Sequence, residues 1–200
     1  IADGTYSGYT FDDAVSGSQY ITIKKAIEGS HGTDNGWLST YGDGQATWTS
    51  SLTFSTSYWI FNGSVGNMSR TSTDYGFTFS SMNYPIQIGS TSANVANFDI
   101  SHISAIAPGG DSEKFFVRTS DSFMEVDNVT ISRTYLNGWQ NAYWATSATA
   151  KSGNSFMDNW VLEYTIALNG ISSATHHGGW TNNNWAQHNG TVARYNYFEG

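Results

Sequence analysis

Along the chain, short runs in which apolar side chains alternate with hydroxyl-bearing ones are separated by clusters of Gly, Ser, Asn and Asp. GTYSGYTF (4–11), YITIKKA (20–26), QATWTSSLTFS (45–55) and SYWIFNG (57–63) read as strands in the first half. KFFV (114–117), SFMEV (122–126) and AYWAT (142–146) read the same way in the second. Helical periodicity is missing. The stretch EGSHGTDNGWLSTYGDG (28–44) breaks the alternation and reads as an inserted loop, the kind of element that builds a working face on a repeat protein.

The strands recur in phase. NFDISHISA begins at Asn97, NVTISRTYLNG at Asn128, NWVLEYTIALNG at Asn159 and NGTVARYNYFEG at Asn189, about 31, 31 and 30 residues apart. Each places an aliphatic residue three positions on, at Ile100, Ile131, Leu162 and Val192, and the last three close on Gly138, Gly170 and Gly200. A repeat of this length with several strand segments predicts an all-β fold in a single domain over 1–200: a right-handed parallel β-helix, or solenoid. Its rungs are expected to be about 31 residues long in the C-terminal half. Equivalent residues of stacked parallel rungs lie about 4.8 Å apart, so the four asparagines are expected to form a ladder of mutually bonded amides. Buried in such a ladder, Asn128 and Asn189 would not carry glycans although both head Asn-x-Thr sequons. IADGTYSG opens inside a rung and RYNYFEG ends inside another. That pattern suits a piece of a longer protein, or end-to-end self-association.

Composition narrows the function classes. Charged residues are only 12% of the chain while Trp, Tyr and Phe are abundant, an alphabet for pleated surfaces rather than disorder. No apolar stretch approaches the roughly 18 residues of a membrane span. The net charge of −8 repels phosphates and argues against nucleic acid. Without cysteine, disulfides and thiolate metal sites are excluded. An acidic surface rich in hydroxyls, amides and aromatics suits an extracellular or cell-surface protein that meets sugars.

IADGTYSG, YWIFNG and NGTVARYNYFEG resemble the rung-opening, inward aromatic and closing strands of the pectate-lyase-like β-helix superfamily. The resemblance covers most of the chain as an architecture and reaches no single family's catalytic motif. It implies a secreted protein that binds or cleaves polysaccharide, with lyase-type elimination favoured over hydrolysis. The alternative is a structural fibre, adhesin or spike segment. Elimination needs a cation to neutralise a uronic carboxylate and a base beside it. The repeat puts His102, Arg133, Tyr164 and Arg194 in one column, five residues after each asparagine. Strict alternation would bury that column at a cost of several kcal/mol per guanidinium, so a bend is expected to turn it outward. Arg133, Tyr164 and Arg194 are then the candidate catalytic residues. A second column holds Asp127 and Asp158; with Glu163 they are the candidate metal ligands, for calcium, and Glu125 could add oxygens where the loops allow. The segment THHGGWTNNNWAQHN (175–189) reads as a sugar platform, so His177, Trp180 and Trp185, together with Trp144, are the candidate substrate-binding residues.

Overall fold

The computed structural model describes residues 1–14, 17–66, 71–80, 82–108, 115–119, 125–139, 141–145, 157–169, 179–180, 188–190 and 192–199. They form an all-β structure with three parallel sheets. The first sheet holds Gly4–Tyr6, Ala46–Trp48, Phe77–Ser80, Ile103–Ile106, Tyr135–Asn137, Ile166–Leu168 and Tyr197–Glu199, in that order. The second runs from Tyr9–Phe11 through Leu52–Phe54, Ile86–Ile88, Phe115–Thr119 and Asn141–Ala145 to Gly179–Trp180. The third runs from Ile21–Lys24 through Trp59–Asn62, Val95–Ser101, Val126–Ser132 and Val161–Glu163 to Val192–Arg194. Met157–Asp158 and His188–Asn189 make a separate parallel pair. The chain thus visits the three sheets in rotation, and each strand pairs with the one laid down on the previous visit. Among the described residues the helical elements are two 3₁₀ turns, Ser39–Tyr41 and Ser72–Asp74, and no helix is long and apolar enough to cross a membrane.

The alternation explains the strands. In Ala46–Trp48, Leu52–Phe54 and Ile86–Ile88 the outer two residues are buried and the middle residue, Thr47, Thr53 or Gln87, is partly exposed. The inward residues meet in one core. It is aromatic in the first half, where Trp48, Phe54, Trp59, Phe61, Phe77 and Phe79 are at most 4% exposed and the Phe61 and Phe77 rings stack at 4.5 Å. In the second half Val126, Val129, Ile131 and Leu162 take over, with Trp139 and Trp160 donating indole N–H groups to Ala105 O (2.9 Å) and Val126 O (2.8 Å). Each fully buried aliphatic or aromatic side chain contributes about 2 kcal/mol of transfer free energy.

In the third sheet Phe98 faces Val129, Ile131 faces Leu162 and Leu162 faces Ala193. This register corrects the sequence alignment in its last repeat by one residue. Val161 pairs with Val192, so the residue opposite Asn159 is Gly190, while Asn189 pairs with Asp158. The physical reason is backbone conformation: Asn97, Asn128 and Asn159 have φ of 69, 52 and 57°, and Gly190 has 69°. That left-handed region is open to Gly and tolerated by Asn. The amide ladder therefore has three members. Asn128 Nδ2 donates to Asn97 Oδ1 (3.3 Å) and Asn159 Nδ2 to Asn128 Oδ1 (3.1 Å). It also lies at the surface, with Asn128 and Asn159 exposed, rather than buried as the sequence suggested.

Candidate functional site

The expected outward bend exists and has the same cause as the ladder. His102, Arg133 and Tyr164 have φ of 57, 49 and 53°, so the chain leaves the third sheet through a left-handed residue whose side chain escapes the alternation. The fourth member of the column is Tyr195 (φ 57°), not Arg194. Arg194 stands one position earlier, opposite Glu163, and its Nε donates to Glu163 Oε2 at 2.7 Å. This corrects two expectations together: Arg194 is not in line with Arg133 and Tyr164, and Glu163 is occupied by an arginine instead of joining the aspartates.

The Arg133 guanidinium carbon lies 5.1 Å from the centre of the Tyr164 ring, and Tyr164 stacks on Tyr195 at 5.2 Å with 15° between the planes. Tyr164 is 43% and Tyr195 70% exposed, which makes them an open aromatic step. His102 is half-buried, and its Nδ1 is shielded from solvent without a hydrogen-bond partner among the described residues. Burial, reinforced by the Arg133 charge, holds its imidazole below the ordinary value, which favours the neutral form.

The outer face of the third sheet hollows into a cavity of about 360 Å³. The ladder asparagines line one side, and Asp99, Thr130, Ile60 and Tyr20 complete it. Asp99 stands between the inward Phe98 and Ile100, so alternation sends it outward. Its Oδ1 is shielded and has no partner among the described residues. Burial raises its carboxyl above the usual range; the nearby Arg133 charge and a bond with Ser101 act the other way, and Glu163 adds to the rise. The cavity thus offers three amides, a threonine hydroxyl and a reluctant carboxylate on one face.

A separate acidic group forms ahead of the ladder. Single oxygens of Glu125, Asp127 and Asp158 lie within 4.8 Å of one another. Burial is the main cause that lifts Asp127 to about 6; the Asp158 N–H, which donates to its Oδ1 at 2.9 Å, opposes the rise, and Glu125 and Asp158 add to it. Asn94 Nδ2 holds Glu125 Oε2 at 2.8 Å, and Asp158 Oδ1 has no partner among the described residues. Three carboxylates suit a hard, oxygen-seeking cation, though calcium takes six to eight oxygens and the rest would have to come from solvent or ligand. Of the two glutamates that the sequence offered beside the aspartates, Glu125 joins them and Glu163 does not.

Two of the expected sugar-binding residues lie on strands of another sheet. Trp144 and Trp180 belong to strands of the second sheet, where Arg118 pairs with Trp144 and Tyr143 with Trp180. Arg133 and Tyr164 leave the third sheet, which the chain visits between those strands, so the repeat phase separates the two sets. His177 and Trp185 lie outside the described residues. The sequence reading passed over Asp99, Tyr195 and Tyr20. Alternation around Phe98 pointed to Asp99; Tyr20 and Tyr195 become visible only through strand register. No protein-family model, curated protein or solved structure matches the chain, and the case for its function therefore stands on this geometry.

Proposed function

We propose that the chain is a right-handed parallel β-helix of the pectate-lyase-like kind whose third sheet binds a uronate-containing polysaccharide outside the cell and cleaves it by elimination. The coil is supported by the rotation of the chain through three parallel sheets, and its hand by the strong preference of parallel crossovers for the right-handed path. The observation that carries the activity is the pair Arg133 and Tyr164, adjacent in one outward column at the end of the sheet whose outer face holds the ladder cavity. Arg133 neutralises the uronic carboxylate, which acidifies the neighbouring carbon. The Tyr164 oxygen takes that carbon's proton as the glycosidic C–O bond breaks, the ring double bond forms, and the proton passes to the departing oxygen. Tyr195 offers a ring face for an adjoining sugar, and the ladder amides and Thr130 bond to hydroxyls. Arg194, tied to Glu163, serves the rim rather than the reacting centre. Calcium at Glu125, Asp127 and Asp158 would add a second anchor for carboxylates.

Hydrolysis is second in order, because its two flanking carboxyl groups need room for a sugar or water between them. Asp127 and Asp158 are instead linked through a main-chain bond. Incubation with pectic, alginate and glycosaminoglycan substrates should release an unsaturated product measured by its absorbance, and Arg133→Ala and Tyr164→Phe should each abolish it. A second reading is a structural fibre segment built on the same three parallel sheets. Silence on every substrate together with filaments in electron micrographs would select it.

A further inference from the structure

We propose that Lys25 and Asp3 become joined by an intramolecular isopeptide bond, Lys25 Nζ to Asp3 Cγ, with loss of one water. The inference is independent of the polysaccharide reading. Lys25 follows the strand Ile21–Lys24, and its main-chain N–H donates to Asn62 O at 2.9 Å. Its side chain turns inward and is fully buried. Nζ donates to Ala26 O at 2.6 Å and stands 2.5 Å from Asp3 Oδ1. Yet Oδ1 is shielded and accepts no aligned hydrogen bond. At that distance the buried amine stands closer to the carboxyl group than an ordinary N–H···O bond places it.

The surroundings supply the other parts of an acyl transfer. The Gly44 N–H donates to Asp3 Oδ2 at 2.5 Å, where negative charge develops when the carbon becomes tetrahedral. The Asp43 side chain is close enough to that of Asp3 to help lower its carboxyl, and so stands near the proton that must move. Both residues come from the end of the 28–44 insertion, which returns here to the first strands. The Asp3 side chain keeps 18% exposure, an exit for water.

The balance is simple. The ammonium of Lys25 gives its proton to the carboxylate of Asp3, leaving an amine and an acid; the C–N bond forms, and Asp43 carries the second amine proton to the departing hydroxyl. An ammonium and a carboxylate become an amide and water, with no oxidant, reductant or co-reactant. Burial alone would raise the Asp3 carboxyl, but the adjacent Lys25 ammonium and the Gly44 N–H hold it below the ordinary value, so the resting pair is ionic. Two charges withdrawn from water are a standing cost, and the neutral amide removes both.

Intact-mass spectrometry of the purified, denatured chain is the test, followed by tandem sequencing of proteolytic fragments. The expected result is a mass one water below that of the sequence, and a branched fragment joining the peptides of Asp3 and Lys25. Lys25→Arg and Asp3→Ala should restore the full mass, and Asp43→Asn should leave most of the chain unjoined. A wild-type chain at full mass overturns the proposal without recourse to any variant. So does a water loss that survives Lys25→Arg, since that places it elsewhere, for example as a ring at Asp43-Gly44.

Discussion

Replacing Asn128 separates two contributions of the ladder that the native side chain combines. Its amide makes both ladder bonds, at 3.3 and 3.1 Å, and its backbone sits at φ 52°. The bonds are exposed, so each contributes about 0.5 kcal/mol, and losing both costs about 1 kcal/mol. Asn128→Ala adds a Cβ penalty of about 1.5 kcal/mol in the left-handed region, for a total of about 2.5 kcal/mol. Asn128→Gly loses the same bonds without that penalty, and pays about 0.5 kcal/mol for the freer unfolded chain, about 1.5 kcal/mol in all. With a urea dependence of about 2 kcal/mol per molar, the midpoints should fall by about 1.2 M for Ala and about 0.7 M for Gly. Urea unfolding followed by tryptophan fluorescence reads both. Equal shifts for the two variants, or a larger one for Gly, would show that the backbone conformation is not what selects Asn here. Gly190 occupies the same column with φ 69°, the natural counterpart of the Gly variant.

Other measurements probe the core and the acids. Leu162→Ala, at a fully buried position, should cost about 3 kcal/mol in the same urea assay, whereas Phe198→Ala at a 41% exposed one should cost less than about 1 kcal/mol. The Asp127 carboxyl titrates at about 6 in the fold, above its ordinary 3.8, so the native state holds its proton more tightly than the unfolded chain. Its contribution is therefore complete below about pH 4 and is lost as pH rises through 6. Allowing for screening of a partly exposed group, the midpoint should register a loss of about 1 kcal/mol between pH 4 and 7, absent in Asp127→Asn. Millimolar calcium at pH 7 should raise the thermal midpoint of the wild type and leave Asp127→Asn unmoved. A scan without that difference would remove calcium from the acidic group.

The strand alternation and the 31-residue phase were legible because a repeated backbone position makes the same demand each time. Phe98, Val129 and Ile131 must face the core, and Asn97, Asn128 and Asn159 must accept a left-handed φ. Those demands act on single residues, so single residues display them. The last repeat was misread for the same reason: Asn189 looks like its predecessors, but Gly190 satisfies the backbone even better, and only pairing of Val161 with Val192 decides between them. Moving that register by one carried Arg194 out of the outward column and put Tyr195 in.

What the sequence determined by itself is thus the local grammar of strand, bend and repeat, since alternation and tolerance of positive φ are properties of individual side chains. The tertiary structure decided which of those side chains meet. Glu163 answers to Arg194 rather than to the aspartates, Glu125 joins Asp127 and Asp158, and Lys25 reaches back to Asp3 across the first strands. Such partnerships depend on distances between residues laid down on different visits to a sheet, and those distances are set by the packing of the core and the lengths of the intervening loops, to which no single residue testifies.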